Sequence, residues 1–285
     1  YIVEAGNGGG LTAPGPFGPT EFGATGGVTR VAPDGSSERV VFGLGSMTAG
    51  QSRGAQDILF TDDAVWLLLG ENPEGAIFSN ALVELDPQTW RVRQFVDLFS
   101  IEAELNPDGD IIASNPSGMA QGADGRFYIA DAGCNCVVTW APGEDVSLFA
   151  SWSIDENPVP TAVAVAPDGN IYVGFLSGFP FPEGGARIDV FSPDGELVMS
   201  YEGLTAVVDL LITEEGAIYA VEFGVFGDAG FGPGRVVEVT PDGLTPVAED
   251  LIAPWGIAVG PDGEMVVVTG AAGGQNGAVA HIHAD

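Results

Sequence analysis

The chain has 285 residues, of which 45% are hydrophobic, and it carries 40 Asp and Glu residues against 8 Arg residues and no Lys. The formal net charge of −32 repels nucleic acid and anionic membranes, and no run of roughly eighteen apolar residues is present to cross a bilayer. We therefore expect a sizeable core, no nucleic-acid partner and no membrane insertion.

One pattern recurs about every 47 residues: an apolar strand, an acidic-Gly turn, a second strand, a Gly-rich connection, a third strand and another turn. Residues Gly118–Gly125, Ala162–Gly169 and Gly256–Gly263 align without gaps. Self-similarity of this length indicates an array of units, and units of four short strands are typical of propeller blades. No segment shows helical periodicity with caps, so no helix is predicted.

The first unit contains the predicted strands Tyr1–Glu4, Gly27–Ala32 and Glu38–Phe42, and it lacks an innermost strand. Each of the next five units has a second strand of apolar and β-branched residues, which is typical of a strand buried on both faces. These second strands are Val65–Leu69, Phe127–Ala130, Ile171–Phe175, Ile218–Glu222 and Met265–Thr269. The third strands are centred on Val83, Val138, Ile188, Val237 and Val279.

These units predict a single all-β domain over residues 1–285, a six-bladed β-propeller with four-stranded antiparallel blades. The first blade lacks its inner strand and the last lacks its outer strand, so we expect a preceding segment or a strand of a neighbouring chain to complete the first. The start without Met, within a strand, suggests that an N-terminal piece was removed or is not included. The predicted blades span approximately residues 1–45, 54–100, 115–151, 160–203, 206–250 and 254–285.

The residues of the connections between strands predict that the two faces of the domain differ. Tight turns such as Pro167–Gly169 and Pro193–Gly195 combine a preset φ at Pro with a positive φ at Gly, and their aspartates are predicted to bond local N–H groups and not metals. The long connections must emerge together at the opposite face, where function on a rigid scaffold tends to lie. They are residues 5–26, 70–81, 100–115, 151–160, 177–186 and 223–235.

Carboxylates end the second strands of alternate blades, at Glu4, Asp131 and Glu222. Hard oxygen ligands of this kind suit Ca²⁺, so these residues are candidate metal ligands. The alternative is that each carboxylate accepts N–H bonds from its own connection. The starts of the first strands add polar or aromatic side chains nearer the predicted axis, namely Gln56, Asn115, Thr161, Asp209 and Trp255.

Enzyme chemistry is an open alternative, because acidic and amide residues over a central metal serve propeller lactonases and related lyases. Its candidate residues are Glu4, Asp131, Glu222, Asn115 and Asp209. A nucleophilic triad is disfavoured, since His281 and His283 lie in the terminal strand beside no serine motif. The spacing of this His pair places both on one strand face, where a metal-binding pair or an exposed edge pair is expected.

An apolar, stiff loop tip is predicted at Phe179–Pro182. Phe179 and Phe181, with Phe17 and the phenylalanines of residues 223–231, could form a patch for a planar aromatic ligand or a partner protein. Alternatively these rings fold down and plug the channel.

The two cysteines, Cys134 and Cys136, are one residue apart. They could form a local disulfide, cross-link to another chain or stay reduced, and they are too few for a structural zinc site.

Several stretches resemble the scytonemin-biosynthesis-associated (ScyD/ScyE-like) propeller family over nearly the whole chain. They are Gly26–Val31, Glu102 with Asn106–Gly109, Ser114–Pro116, Tyr128–Gly133, Pro160–Thr161, Gly178–Pro182 and Gly184–Arg187. The resemblance implies a six-bladed ring of the NHL type, usually exported and often without an assigned activity. The chain departs from the family pattern at Cys134–Cys136 and in lacking the opening strand.

Together these observations predict an exported, acidic module that binds a protein partner, a second copy of itself or a small aromatic ligand through its long-connection face. One alternative is a metal-assisted enzyme, lactonase-like, lyase-like or acting on a scytonemin-type aromatic metabolite. Another is a structural subunit of an extracellular polymer or larger complex.

Overall fold

A computed structural model of the chain describes residues 1–15, 18–48, 52–71, 79–260, 262–271 and 277–282. Within these ranges the regular secondary structure is almost entirely β-strand, and one helix of seven residues is present. The chain divides into two compact units. The first comprises residues 1–106 and 110–119, and the second comprises residues 107–109 and 120–285. A single domain with six blades therefore stays a prediction.

The first unit begins with a five-stranded antiparallel sheet. Its strands are β1 (Ile2–Glu4), β2 (Leu11–Gly15), β3 (Gly18–Val31), β4 (Ser37–Thr48) and β5 (Ser52–Arg53). They lie in the order β1-β3-β4-β5, and β2 pairs with β3. The second sheet has its strands in chain order: β6 (Ala55–Phe60), β7 (Val65–Leu69), β8 (Ala81–Leu85) and β9 (Val92–Asp97).

Two expectations for the first unit are wrong. Residues 5–26 are not one long connection, because strand β2 and the first half of β3 form a hairpin there. Its Gly and Pro residues disfavour a strand interior, which hid the hairpin from sequence reasoning. A helix, α1 (Phe99–Leu105), also lies where only a loop is predicted. It ends at Asn106, whose φ of 42° is left-handed and suits a C-cap.

Three sheets and a small hairpin follow in the chain. The third sheet contains β10 (Pro116–Gln121), β11 (Phe127–Asp131), β12 (Cys136–Trp140) and β13 (Ser147–Ser151). The fourth contains β14 (Pro160–Val165), β15 (Ile171–Phe175), β16 (Ala186–Phe191) and β17 (Leu197–Leu204). The fifth contains β18 (Val207–Ile212), β19 (Ile218–Glu222), β22 (Gly234–Thr240) and β23 (Gly243–Leu251), and the hairpin pairs β20 (Phe226–Gly227) with β21 (Gly230–Phe231).

The sixth sheet has three strands among the described residues, β24 (Ile257–Val259), β25 (Met265–Thr269) and β26 (Ala278–Ile282). The predicted second strands are confirmed in the second to sixth sheets, with Asp131 added to the one that starts at Phe127. The tight turns are also confirmed, since Gly169 and Gly195 have φ of 87° and 83°. Asp168 accepts the N–H of Asn170, as the turn chemistry requires.

Apolar strands build the core where neighbouring sheets face each other. All five residues of β7 and of β12 are buried, whereas the outer strands are largely exposed. The fourth and fifth sheets pack through Ala162, Ile188, Leu204, Val207 and Val237. Each fully buried Val, Leu or Ile side chain contributes about 1.5–3 kcal/mol. Close approach requires a glycine at 174, because a Cβ there would lie 2.8 Å from Val207 Cγ1.

No helix among the described residues combines the length and hydropathy that a bilayer crossing needs.

Candidate functional site

The predicted carboxylates of the second unit are buried and already hydrogen-bonded. Glu222 is 1% exposed; its Oε1 accepts the N–H of Thr205 at 2.6 Å, and its Oε2 is paired with the guanidinium of Arg235. Asp131 Oδ1 accepts the N–H groups of Gly133 at 2.9 Å and of Cys134 at 3.3 Å. A carboxylate held by backbone and cationic donors can fix the position of the loop residues that donate to it.

Glu4, in the first unit, is also hydrogen-bonded, although its side chain is 37% exposed. Its Oε2 accepts a hydrogen bond from Arg39 Nη2 at 2.6 Å, and its Oε1 accepts one from the Thr29 hydroxyl. Each of the three predicted ligands thus has local donors, so binding a cation would require the exchange of existing bonds. Their role as Ca²⁺ ligands stays a prediction.

Aspartates near the starts of two first strands connect successive sheets. Asp209 Oδ1 accepts the N–H of Leu210, and its Oδ2 accepts the N–H of Ile257, each at 2.8 Å. In the first unit, Asp57 makes the equivalent pair of bonds to Ile58 and Met119. Burial raises the pKa of Asp57 to about 6, against the two N–H donors that lower it. Sequence reasoning did not include Asp57 among the site residues, although it aligns with Asp209 in the repeat.

The other predicted positions near these strand starts have structural contacts. Thr161 donates its hydroxyl to the carbonyl of Val207 at 2.7 Å, which joins the fourth sheet to the fifth. Asn115 Oδ1 accepts the N–H of Glu71 at 3.2 Å. Gln56 lies against Gly70, and the Trp255 ring lies 5.7 Å from that of Phe223.

A cluster that sequence reasoning did not propose lies at the turn between β24 and β25 and on β26. Potential ligand atoms of Asp262, Glu264 and His281 lie within 4.8 Å of one another, and His281 Nδ1 is 3.5 Å from Glu264 Oε2. The predicted partner His283 lies outside the described residues. Exposed acidic clusters are common without an ion, so we assign no metal to this one.

The structure brings Phe179 and Phe181 together with the β20–β21 hairpin. We call the set Phe179, Phe181, Phe226 and Phe231 the aromatic patch. The centroid of Phe181 lies 6.0, 5.3 and 5.1 Å from those of Phe179, Phe226 and Phe231. Phe231 in turn contacts Phe223, which is 8% exposed, whereas Phe179 is 77% exposed. Phe17, which was also predicted for this surface, lies outside the described residues.

A groove of about 420 Å³ opens beside Phe179. Its polar lining includes Glu156, Asn157, Ser177 and Arg187, and its apolar lining includes Phe175, Phe179, Pro180 and Pro182. Phe179 and the connection 151–160 were both predicted on the working face, but Ser177 and Arg187 were not proposed as site residues. The aromatic patch and the groove share Phe179, so they form one continuous candidate site.

Cys134 and Cys136 are joined to each other by a disulfide, with their Cα atoms 5.2 Å apart. Of the three alternatives left open by the sequence, the structure therefore shows the local bond. Neither cysteine of the chain is free to cross-link to another chain.

No protein-family model matches the chain, and no curated protein matches it. Solved structures do. In a nidogen/laminin complex, a chain with 10% identity is similar over 88% of this chain and 84% of that one, with a TM-score of 0.58. Virginiamycin B lyase from Staphylococcus aureus, in a catalytically inactive form with quinupristin, has 13% identity, coverage of 92% and 73%, and a TM-score of 0.54.

A putative 6-phosphogluconolactonase from Bacteroides uniformis has 14% identity, coverage of 90% and 80%, and a TM-score of 0.50. Identities this low speak to the fold alone and leave the ScyD/ScyE-like family a prediction. The structures similar to this chain are β-propeller-like proteins, and its four-stranded antiparallel sheets agree with that fold.

Proposed function

We propose that this chain is an exported binding module with a six-bladed β-propeller fold, and that the aromatic patch contacts its partner. Six sheets of the repeat support the blade number. The resemblance to the ScyD/ScyE-like propellers supports the same architecture. The disulfide supports export, because such bonds persist chiefly in oxidising compartments.

The observation that carries this proposal is the gradient of exposure across the aromatic rings. Phe223 is buried in the core, Phe181, Phe226 and Phe231 are partly buried, and Phe179 is 77% exposed. A large ring left in water and supported from behind by other rings is an anchor that gains free energy when a partner covers it. An exposed ring that continues into a cluster of partly buried rings is a candidate binding surface.

Net charge restricts the partner. At −32, the chain repels acidic macromolecules, so the partner is neutral or basic. This criterion fits a neutral small molecule, a basic protein surface or an uncharged polymer. It does not fit nucleic acid.

Photo-crosslinking from the patch tests the proposal. p-Benzoylphenylalanine replaces Phe179 in one variant and Phe42, another exposed phenylalanine, in the matched control. Both variants are irradiated in the cells that make the chain, and the adducts are identified by mass spectrometry. We expect an adduct at position 179 alone. No adduct, or equal labelling at the two positions, would contradict the proposal.

The metal-assisted enzyme alternative has less support, because Glu4, Asp131, Glu222, Asn115 and Asp209 all accept hydrogen bonds within the protein. Calorimetric titration with Ca²⁺ separates it from the binding module. Saturable heat that disappears in Glu222→Gln would favour the enzyme. For the structural-subunit alternative, the measurement is sedimentation at high concentration, and a strictly monomeric chain would exclude it.

A further inference from the structure

We propose that the groove beside the aromatic patch binds a neutral, polyhydroxylated ligand, such as a sugar unit of an oligosaccharide. The inference deepens the proposed function and rests on it, because it gives the binding face a ligand class. It depends on three features of the groove: an unpartnered buried hydroxyl, an immobilised ion pair and an aromatic wall.

The hydroxyl is that of Ser177. Ser177 lines the groove, the residue is 7% exposed, and its buried Oγ has no hydrogen-bond partner among the residues that the structure describes. The backbone holds this position firmly, because the N–H of Ser177 donates to the carbonyl of Pro158 at 2.8 Å. Buried polar atoms in native proteins are normally paired, so an orphaned hydroxyl at a groove indicates a polar ligand group opposite it.

The ion pair is centred on Arg187. Its Nε donates to both carboxylate oxygens of Asp189, at 2.9 and 3.0 Å, and its Nη2 donates to Glu156 Oε1 at 2.9 Å. The guanidinium also lies over the Phe175 ring, with Cζ 4.7 Å from the ring centroid. These contacts fix donors and acceptors side by side, which is what pairs of neighbouring ligand hydroxyls require.

The charge of the groove excludes anions. Two carboxylates face one guanidinium there, Asp155 adds a further negative charge, and the whole chain is strongly acidic. Burial would lower the pKa of Arg187, but its hydrogen bonds to Asp189 and Glu156 outweigh burial and raise it. A phosphate or carboxylate ligand would have to compete for an arginine that is already neutralised, whereas an uncharged hydroxyl would not.

The third feature is the wall of Phe179, Pro180 and Pro182. Sugars present axial C–H groups on one face of the ring and hydroxyls around its edge, so they pack that face on an aromatic ring while bonding polar groups at the rim. A volume of about 420 Å³ is within the range for small-ligand sites. The groove therefore supplies both an aromatic surface for the C–H face of a sugar and polar groups for its hydroxyls.

The test uses an array of neutral oligosaccharides built from glucose, galactose, mannose and N-acetylglucosamine, followed by calorimetry with those that bind. Ser177→Ala removes the hydroxyl and Phe179→Ala removes the wall, and Phe42→Ala is the matched control on an exposed ring. We expect saturable binding that weakens about tenfold or more in both groove variants and is unchanged in the control. Because the ligand is uncharged, the affinity should not change between low and high salt.

Thermal unfolding of each variant shows whether a loss of binding comes from a loss of folding. Ser177→Ala should unfold at the same temperature as the parent or at a higher one. Failure of every oligosaccharide to bind, or equal affinity in parent and groove variants, would overturn the inference. If position 179 still yields a specific protein adduct by photo-crosslinking, the proposed function stands without the sugar. If that experiment fails too, both are rejected.

Discussion

Asp209 joins its own sheet to the sixth one by accepting the backbone N–H of Ile257 at 2.8 Å. Its second oxygen accepts the N–H of Leu210, so one carboxylate satisfies a donor in each of two sheets. Asp57 repeats the arrangement in the first unit with Ile58 and Met119. The repeat thus encodes a polar bond between neighbouring sheets in addition to their apolar contact.

Replacing Asp209 by Ala should destabilise the fold. Two backbone donors lose a charged acceptor, and each unsatisfied group costs about 1–3 kcal/mol. We expect urea unfolding to show a loss of roughly 2–6 kcal/mol. Asp168→Ala is the control, because Asp168 bonds Asn170 within an exposed turn, and it should cost under about 1 kcal/mol. Equal losses in the two variants would refute the bridging role.

The carboxyl of Asp57 should make stability depend on pH. Burial raises its pKa from 3.8 in the unfolded chain to about 6 in the folded one. Between these values the folded state holds the proton more often, so the contribution of Asp57 to stability is largest below pH 4 and is lost as the pH rises through 6. This single group accounts for on the order of 3 kcal/mol over that window.

The measurement is urea unfolding at several pH values in the parent and in Asp57→Asn. In Asp57→Asn, the slope of the free energy of unfolding against pH should lack the contribution of the one proton that Asp57 binds. Asp34→Asn is the matched control. Hydrogen bonds from Ser36 lower the pKa of exposed Asp34, so this substitution should change the slope in the opposite direction. A parent-like slope in Asp57→Asn would show that Asp57 is not the titrating group.

Glu222→Gln tests the anchor between the fifth sheet and Thr205. The amide keeps an acceptor for the Thr205 N–H but loses the charge that pairs with Arg235. Because Arg235 is partly exposed, we expect a loss of roughly 2 kcal/mol, less than for a fully buried pair. Arg126→Gln, which breaks the exposed pair with Glu144, should cost under about 1 kcal/mol. A smaller loss in Glu222→Gln than in Arg126→Gln would contradict this.

Gly174→Ala should push the fourth and fifth sheets apart. The added Cβ would lie 2.8 Å from Val207 Cγ1 and 3.3 Å from Leu210 Cδ1, and overpacking of a dense core costs about 1–3 kcal/mol. Gly227→Ala is the control, since a Cβ there would meet nothing within 4 Å. Thermal unfolding compares them, and an unchanged midpoint in Gly174→Ala would mean that the sheets are loosely packed.

The second strands of the repeat could be predicted from sequence because their apolar content and flanking Asp-Gly turns agree. Val65–Leu69 and Ile171–Phe175 have the predicted bounds. The β2–β3 hairpin could not be predicted, since Gly and Pro residues disfavour a strand interior and no local pattern shows that β3 also pairs with β4. Helix α1 has about two turns and no side-chain cap, so the sequence gives little indication of a helix there.

The aromatic part of the site was predictable because Phe and Pro alternate within one short loop. The polar part was not. The Ser177 hydroxyl has no partner within the part of the chain that the structure describes because of the path of its loop, and the φ of 67° at Ser177 has no signature in sequence. Arg187 and Asp189 share a strand face by their spacing of two, yet Glu156 reaches Arg187 from a distant connection.

The bond between Cys134 and Cys136 consumes both thiols of the chain, which also contains no Lys. A maleimide dye would therefore react only with a cysteine introduced by design, for example at Asp228 in the tip between β20 and β21. Fluorescence from that position would report directly on molecules arriving at the neighbouring rings, without background labelling elsewhere.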